Sequence, residues 1–312
     1  MTGSQFGQYP PAEYVIAHLS DTHFLGSDQQ GRVRALYGSV DTDATVANAL
    51  QRLRALGVRL DAMVFTGDIA DLAEEDAYRR VRGLVQPVAD ELGARLVWVM
   101  GNHDERARFR RELLDSAPDS APDTAPIDRV DMVRGLRIIT IDSTVPGYHH
   151  GEITREQLDW LADVLRTPAP HGSILALHHP PIPTPLAAMT ILELQRQQEL
   201  ASVIEGSDIR AILGGHLHYA STSLFAGIPV SVAPATCYTM DVAAPDRNLM
   251  GVDGGQSFSL VHVYADRVVH SVVPLAPAPV VAHFDADFLR RMEELSAAER
   301  LEAFGRKPDG VA

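Results

Sequence analysis

Aspartate, asparagine and histidine recur in this chain at short spacings just after apolar runs. Asp21 and His23 stand in Ser20-Asp-Thr-His23, and Asp68 in Thr66-Gly-Asp68. Asn102, His103 and Asp104 stand in Gly101-Asn-His-Asp104. His178 and His179 precede Pro180, and His216 and His218 stand in Gly215-His-Leu-His218. Carboxylate, amide oxygen and imidazole all ligate metals, and imidazole also moves protons near neutral pH. Residues two apart near a strand end point to one side, so Asp21 and His23 can hold one cation. His216 and His218 share that spacing, though a turn can aim them at neighbouring ions. The set holds no sulfur and is too rich in imidazole for magnesium or calcium, so it suits manganese, iron, zinc or cobalt. Asp21, His23, Asp68, Asn102, one histidine of the 178/179 pair, His216 and His218 are too many ligands for one ordinary ion. They match two ions sharing a carboxylate, and Asp68, alone at its strand end, is the natural bridge.

Such residues must be brought together by the elements that carry them. Tyr14–Leu19, Ala62–Thr66, Leu96–Met100, Leu136–Ile141, Ser173–Leu177 and Ile209–Leu213 read as strands. Between them, Thr42–Gly57, Glu75–Gly93 and residues 190–205 read as helices, and Thr154-Arg-Glu-Gln157 is a capping box opening a helix from Gln157 to Leu165. This alternation predicts an α/β fold with a mostly parallel sheet and right-handed crossovers. The ligand crevice of such sheets lies beyond the carboxyl ends of the strands, where every one of these residues falls. After residue 220 the pattern turns β-rich, with a hairpin near Ala265-Asp266, which predicts antiparallel edges or a second sheet. The stretch 116–126, rich in Ser, Pro and Asp, predicts a surface loop. Residues 1–275 read as the domain and 276–312 as a peripheral tail with one amphipathic helix over 284–304.

The chain has 312 residues and a formal charge of −14, which argues against a nucleic-acid surface. It does not exclude a phosphate substrate, since bound cations supply positive charge locally. One cysteine, Cys237, allows no disulfide and reads as a small buried apolar residue. No signal peptide or bilayer-spanning run is evident, which predicts a cytoplasmic protein. Each site residue taken alone has an ordinary reading, as a helix cap, a turn former or a packed side chain. His18, His262 and His270 lie within strands and read as satisfied packing residues, and Trp98 and Trp160 as core. His149 and His150 occupy a loop that is surface by default and substrate-facing otherwise. The ordinary readings fail jointly, because chance does not set D-x-H, GD, GNHD, HHP and GHxH in order at successive strand ends.

Together "SDTH", "TGDIAD", "GNHDE", "LHHPP" and "GGHLHY" resemble the calcineurin-like metallophosphoesterase superfamily over about residues 14–275. The resemblance implies a sandwich of two β-sheets flanked by helices (αββα) around a dinuclear centre of manganese, iron or zinc. It places Asp21, His23, Asp68 and His218 on one ion, and Asp68, Asn102, His178 and His216 on the other. His178 is preferred to His179 because the family's ligand precedes x-Pro. The resemblance makes His103 the general acid and lets Asp104 orient His103 or a neighbour, so His103 and Asp104 are the expected catalytic residues; Asn102, His103, His149 and His150 are the expected substrate contacts. Gly67-Asp-Ile-Ala-Asp-Leu-Ala73 lacks the Arg-Gly of the protein phosphatases' GDxxDRG segment. "VPGYHHGEITREQLDWL" is similar to a signature of bacterial class III cyclic nucleotide phosphodiesterases, and the chain looks like the mycobacterial type. That implies hydrolysis of 3′,5′-cAMP to the 5′-monophosphate by a metal-bridging hydroxide, and a possible homodimer. The alternatives are a broader phosphodiesterase for 2′,3′-cyclic nucleotides or glycerophosphodiesters, and a non-catalytic scaffold, which would have lost ligands.

Overall fold

In chain order the elements are β1 (Tyr14–Leu19), α1 (Thr42–Ala55), β2 (Ala62–Thr66), α2 (Glu75–Leu92), β3 (Arg95–Val99), α3 (Arg106–Leu113), β4 (Arg129–Val133), β5 (Leu136–Ile141), α4 (Arg155–Leu165), β6 (Ser173–Leu177), α5 (Gln197–Ile204) and β7 (Ile209–Gly214). Then follow β8 (Ser221–Phe225), β9 (Ile228–Val232), β10 (Thr239–Met240), β11 (Gly251–Val252), β12 (Ser257–Val263), β13 (Val268–Pro274), α6 (Ala286–Glu293) and α7 (Ala297–Arg300). The computed structural model describes residues 5–114, 122 and 124–307; of the Ser-Pro-Asp stretch, residues 116–121 and 123 lie outside them.

Two sheets form, in the orders β13-β12-β1-β2-β3 and β4-β5-β6-β7-β9-β8. β1, β2 and β3 run parallel, as do β5, β6, β7 and β9. The late strands close the edges antiparallel, β12 and β13 on the first sheet and β8 on the second. Strand alternation divides the core into three layers. Ile16, Val64, Val97, Ile138, Ile174 and Leu213 meet between the sheets. Leu19, Phe65 and Trp98 face α1 and α2, while Ile141, Leu175 and Ile212 face the helices of the second sheet. The result is the expected αββα sandwich. It sets the carboxyl ends of two groups of parallel strands beside each other, and every site loop leaves from one of those ends.

Local chemistry fixes the boundaries. α1 starts where the Asp41 carboxylate accepts the Ala44 N–H, and α2 stops at Gly93, whose φ is +67°. The Thr154–Gln157 capping box forms as expected. Three expectations are corrected. β4 was not foreseen, because its polar alternation around Asp131 hides a strand that pairs antiparallel with β5. The helix expected over 190–205 is a 3-10 turn at Ala187–Leu192 and then α5, separated by Arg196 at φ +53°. The helix expected over 284–304 is two helices and a π-helical turn at Leu301–Gly305, because Ser296 accepts the Glu299 N–H and starts α7 afresh.

Residues Glu13–Ala276 form one compact unit, and, among the described residues, 5–12 group with 277–307 in another. In the small unit Phe284, Phe288 and Phe304 pack ring against ring. Arg300 donates to the Gln5 carbonyl at 3.0 Å.

His18 and His270 depart from the satisfied packing expected of them. His18 bonds Thr66 Oγ1 at 2.9 Å, but its Nδ1 and both nitrogens of His270 are buried with no partner among the described residues. Burial, and then the charge of His270, hold His18 down at about 3; burial holds His270 at about 4. An unfolded imidazole titrates near 6.5. Both folded pKa values are depressed, so their stabilising effect is complete above pH 6.5 and is lost as pH falls from there toward 3. We predict that the unfolding free energy of metal-free protein falls between pH 6.5 and 4, by about 1.4 kcal/mol per unit for each group. The double variant His18→Gln, His270→Gln should show a shallower slope in urea titrations, and an equal slope would contradict the assignment.

Candidate metal centre

Each strand end bends sharply to deliver its side chain. Asp21, His23, Asp68, His216 and His218 adopt positive φ of 52°, 45°, 49°, 71° and 60°, a region that non-glycine residues enter at a cost of about 1–3 kcal/mol each. Gly67, at φ +94°, leaves no room for a side chain, since a Cβ there would stand 2.5 Å from His178 Nδ1. The turns draw together Asp21, His23, Asp68 and Asn102 from the first sheet with His178, His216 and His218 from the second.

The contacts form two groups sharing one carboxylate. In the first, His23 Nε2 lies 3.2 Å from His218 Nε2, and Asp21 Oδ1 lies 3.3 Å from the latter. In the second, His178 Nε2 lies 3.0 Å from Asn102 Oδ1. Asp68 Oδ2 stands 3.4 Å from His23 Nε2 and 3.4 Å from His178 Nε2, while its Oδ1 accepts the His103 N–H at 2.9 Å.

Proton placement shows what this arrangement needs. His23 Nδ1 faces the Asp71 carboxylate at 2.9 Å, His178 Nδ1 the Thr66 carbonyl at 2.7 Å, and His218 Nδ1 the Cys237 sulfur at 3.6 Å. The carboxylate and carbonyl partners make Nδ1–H the donor in His23 and His178, so their neutral rings present an Nε2 lone pair inward, while His218 Nδ1 faces a thiol that can donate or accept. The Asn102 amide is oriented likewise, its N–H donating to His149 Nδ1 at 2.9 Å and leaving Oδ1 toward His178. His216 Nε2 is buried with no partner among the described residues. Lone pairs therefore converge on lone pairs, and only cations relieve that arrangement. Oxygen and imidazole donors in two groups about one carboxylate fit two transition-metal ions.

Electrostatics agrees. Burial would lower His178, but Asp68 and Asp21 outweigh it and raise the imidazole to about 9. His218 is likewise raised despite burial, by Cys237 and Asp21. Asp21 is held at about 2, because His218 and His178 overcome its burial. Without metal, protons take the place of cations, so metal and protons compete for the site.

His178 and His179 differ in their partners. Ser143 Oγ accepts the His179 backbone N–H at 3.2 Å and donates to its Nδ1 at 2.9 Å, while Nε2 donates to the His149 carbonyl at 3.1 Å. Both ring nitrogens are used, and burial with the His178 charge holds the ring neutral, at about 3.

Two expectations change. The Asp104 carboxylate accepts N–H groups of Ile69, Ala70 and Gly101 and the Tyr78 hydroxyl. It pins the 68–71 turn to the 101–104 turn and makes no hydrogen bond to the His103 ring, so it is a positioning residue and not a catalytic one. Burial, and then the Asp68 charge, push it up to about 7. His150 packs on Tyr148 at 5.3 Å and reaches the cluster only through its charge on His179. His149, by contrast, faces His103 at 5.1 Å between ring centres.

Asp71 went unrecognised in the sequence. Its carboxylate holds His23 and its carbonyl accepts from His103 Nδ1 at 2.9 Å. The signal was its place three residues after Asp68 in TGDIAD. Gln157 of the "QLDWL" segment donates to Asp128 Oδ1 and to the Asp142 carbonyl, at the root of the loop carrying His149. Cys237 is buried, as expected, but also faces a ligand.

Residues 14–220 match the calcineurin-like phosphoesterase family, and the chain belongs to it. That family uses a dinuclear metal centre, and the His and Asp clusters here fit one. The chain is 54% identical over 277 residues to the cAMP/cGMP dual specificity phosphodiesterase of Mycobacterium tuberculosis (strain CDC 1551 / Oshkosh), covering 89% of this chain and 84% of the relative. It is 46% identical over 300 residues to the probable cyclic nucleotide phosphodiesterase of Rhodococcus erythropolis (strain PR4 / NBRC 100887), covering 96% and 93%. Among solved structures, a dimetal phosphatase from Danio rerio shares the fold at a TM-score of 0.58 and 16% identity, over 85% of this chain and 97% of that one. Among the described residues no helix is long and apolar enough to cross a membrane.

Elemental analysis after dialysis should find two ions in wild type and at most one in Asp68→Ala. A full complement in that variant would refute the bridge. Asp71→Asn should keep the fold and weaken metal affinity about 10–100-fold. Unchanged affinity would show that Asp71 does not tune His23.

Proposed function

We propose that the chain hydrolyses 3′,5′-cyclic nucleotides, cAMP among them, to 5′-nucleoside monophosphates. The carrying observation is the pair of lone-pair clusters joined by Asp68 with a free imidazole at their rim. Asp21, His23, Asp68 and His218 would hold one ion, and Asp68, Asn102, His178 and His216 the other, as manganese, iron or zinc. When bound, such a pair polarises phosphoryl oxygens and brings the pKa of water near neutrality. The name of the mycobacterial relative, at 54% identity, supports the substrate class.

The side chains around the metals supply the remainder. His103 lies with its ring 4.8 Å from His23, and its Nδ1–H is held by the Asp71 carbonyl, so Nε2 faces outward. Burial would lower this imidazole, but the Asp68 charge, the Asp71 carbonyl and the Asp71 charge outweigh it and raise it above 6.5. A raised imidazole favours the imidazolium, the form that serves as general acid. Water loses one proton to solvent as its oxygen bonds phosphorus, and as the P–O3′ bond breaks His103 Nε2 gives its proton to O3′ and is reprotonated from solvent. His149 accepts from Asn102 through Nδ1, so its proton sits on Nε2, and that N–H is free to donate to a phosphoryl oxygen.

A panel of 3′,5′-cAMP, 2′,3′-cAMP, glycerophosphocholine and a phosphomonoester, with manganese-loaded and chelated protein, tests this. The 3′,5′-cyclic nucleotide should be cleaved well above the rest and chelation should abolish it. A win for glycerophosphocholine or the monoester would overturn the substrate class. His103→Ala should keep its metals and lose about 10²–10⁴-fold in kcat. Loss of metal in that variant would sink the general-acid role.

A further inference from the structure

We propose that the nucleobase of the substrate enters the pocket walled by Tyr37 and Tyr238 and stacks on the exposed ring of Tyr37, which binds the base without reading its edge. This rests on the cyclic nucleotide reading above. The pocket, about 360 Å³, is walled by Tyr37, Val40, Tyr238, Met240, Leu249 and Val252, with Ser39 and Asp253 as its polar lining. Tyr238 joins it to the metal centre, its ring lying 4.4 Å from that of His218 and 6.4 Å from that of His23.

The pocket is built for a flat ligand. Tyr37 stands edge-on to Tyr238, with centroids 5.5 Å apart and planes at 70°. It is 76% exposed and sits at φ +51° in the turn bridged by Leu36 and Val40. Below it Leu25, Leu36, Val40, Ala235 and Cys237 form a separate buried cluster against Tyr238, which makes the floor rigid. On the far wall Gly251 lies so close to the Tyr238 ring that a Cβ would come within 2.8 Å, so the β10–β11 hairpin clamps that ring. Leu249, Met250 and Val252 of the same region are exposed apolar side chains beside the site, and an exposed apolar patch there calls for a ligand. The cavity that includes Asn102 has Glu105, Arg106 and Thr144 in its wall and no aromatic ring among its described lining.

Stacking reads the π-face and not the hydrogen-bonding edge, so the pocket accepts adenine and guanine alike. The test is steady-state kinetics of Tyr37→Ala, Tyr37→Phe and Tyr37→Trp on 3′,5′-cAMP and 3′,5′-cGMP, with metal content measured in each. Tyr37→Ala should raise KM about 5- to 100-fold for both nucleotides, with kcat within about twofold, because uniform binding is lost. Tyr37→Phe and Tyr37→Trp should restore KM near wild type. An unchanged KM in Tyr37→Ala, or a Phe variant as impaired as Ala, would overturn the stacking site while leaving the phosphodiesterase reading intact. A wild type that cleaves neither nucleotide would instead overturn that reading, and this pocket assignment with it.

Discussion

The molecule turns on two carboxylates, Asp21 and Asp68, buried to 0% and 2% exposure beside imidazole nitrogens that carry lone pairs. Neither hydrophobic packing nor hydrogen bonding can satisfy that combination, since a buried charge without a partner is among the costliest features a fold can hold. The hydrogen bonds behind the cluster make the demand sharper. By fixing a proton on the outer nitrogen of His23 and His178, the protein leaves their inner nitrogens to be met by a proton or a cation. The site is therefore a permanent request for cations, and the family to which the chain belongs answers it with two.

Meeting that request shapes the backbone. Five of the proposed ligands occupy left-handed conformations, strained positions held because parallel strands buried on both faces clamp the turns on either side. Asp104 shows how the strain is contained. Its carboxylate ties two turns to each other and to Tyr78 of α2, so the loop bearing Asp68 and the loop bearing Asn102 move as one. The sandwich serves the same end from a larger scale. One sheet supplies most of the carboxylate and amide ligands and the other supplies three imidazoles, so the centre also joins the two sheets.

Much of this was legible in the sequence. β1, β2, β5 and β6 have the bounds their apolar runs predict, and the five motifs lie at carboxyl ends as the alternation requires. What was missed has physical reasons. Asp71 acts because a left-handed turn folds it back on His23 and His103, and spacing alone does not reveal such a turn. Asp104 looked catalytic because it sits beside His103, yet its carboxylate turns inward to backbone N–H groups. The break before α7 was written in Ser296-Ala-Ala-Glu299, a capping box placed inside a supposedly continuous helix. The Tyr37–Tyr238 pocket joins segments about 200 residues apart with no shared motif, so only the fold brings them together.

The central claim is that convergent lone pairs make this chain hold two cations as part of its folded structure. Its most direct test is to strip the purified protein with chelator, titrate manganese back in, and follow bound ions per chain together with the unfolding temperature. The account predicts that two ions bind and that the unfolding temperature rises as they do. A single ion at saturation, or an unfolding temperature indifferent to loading, would contradict it.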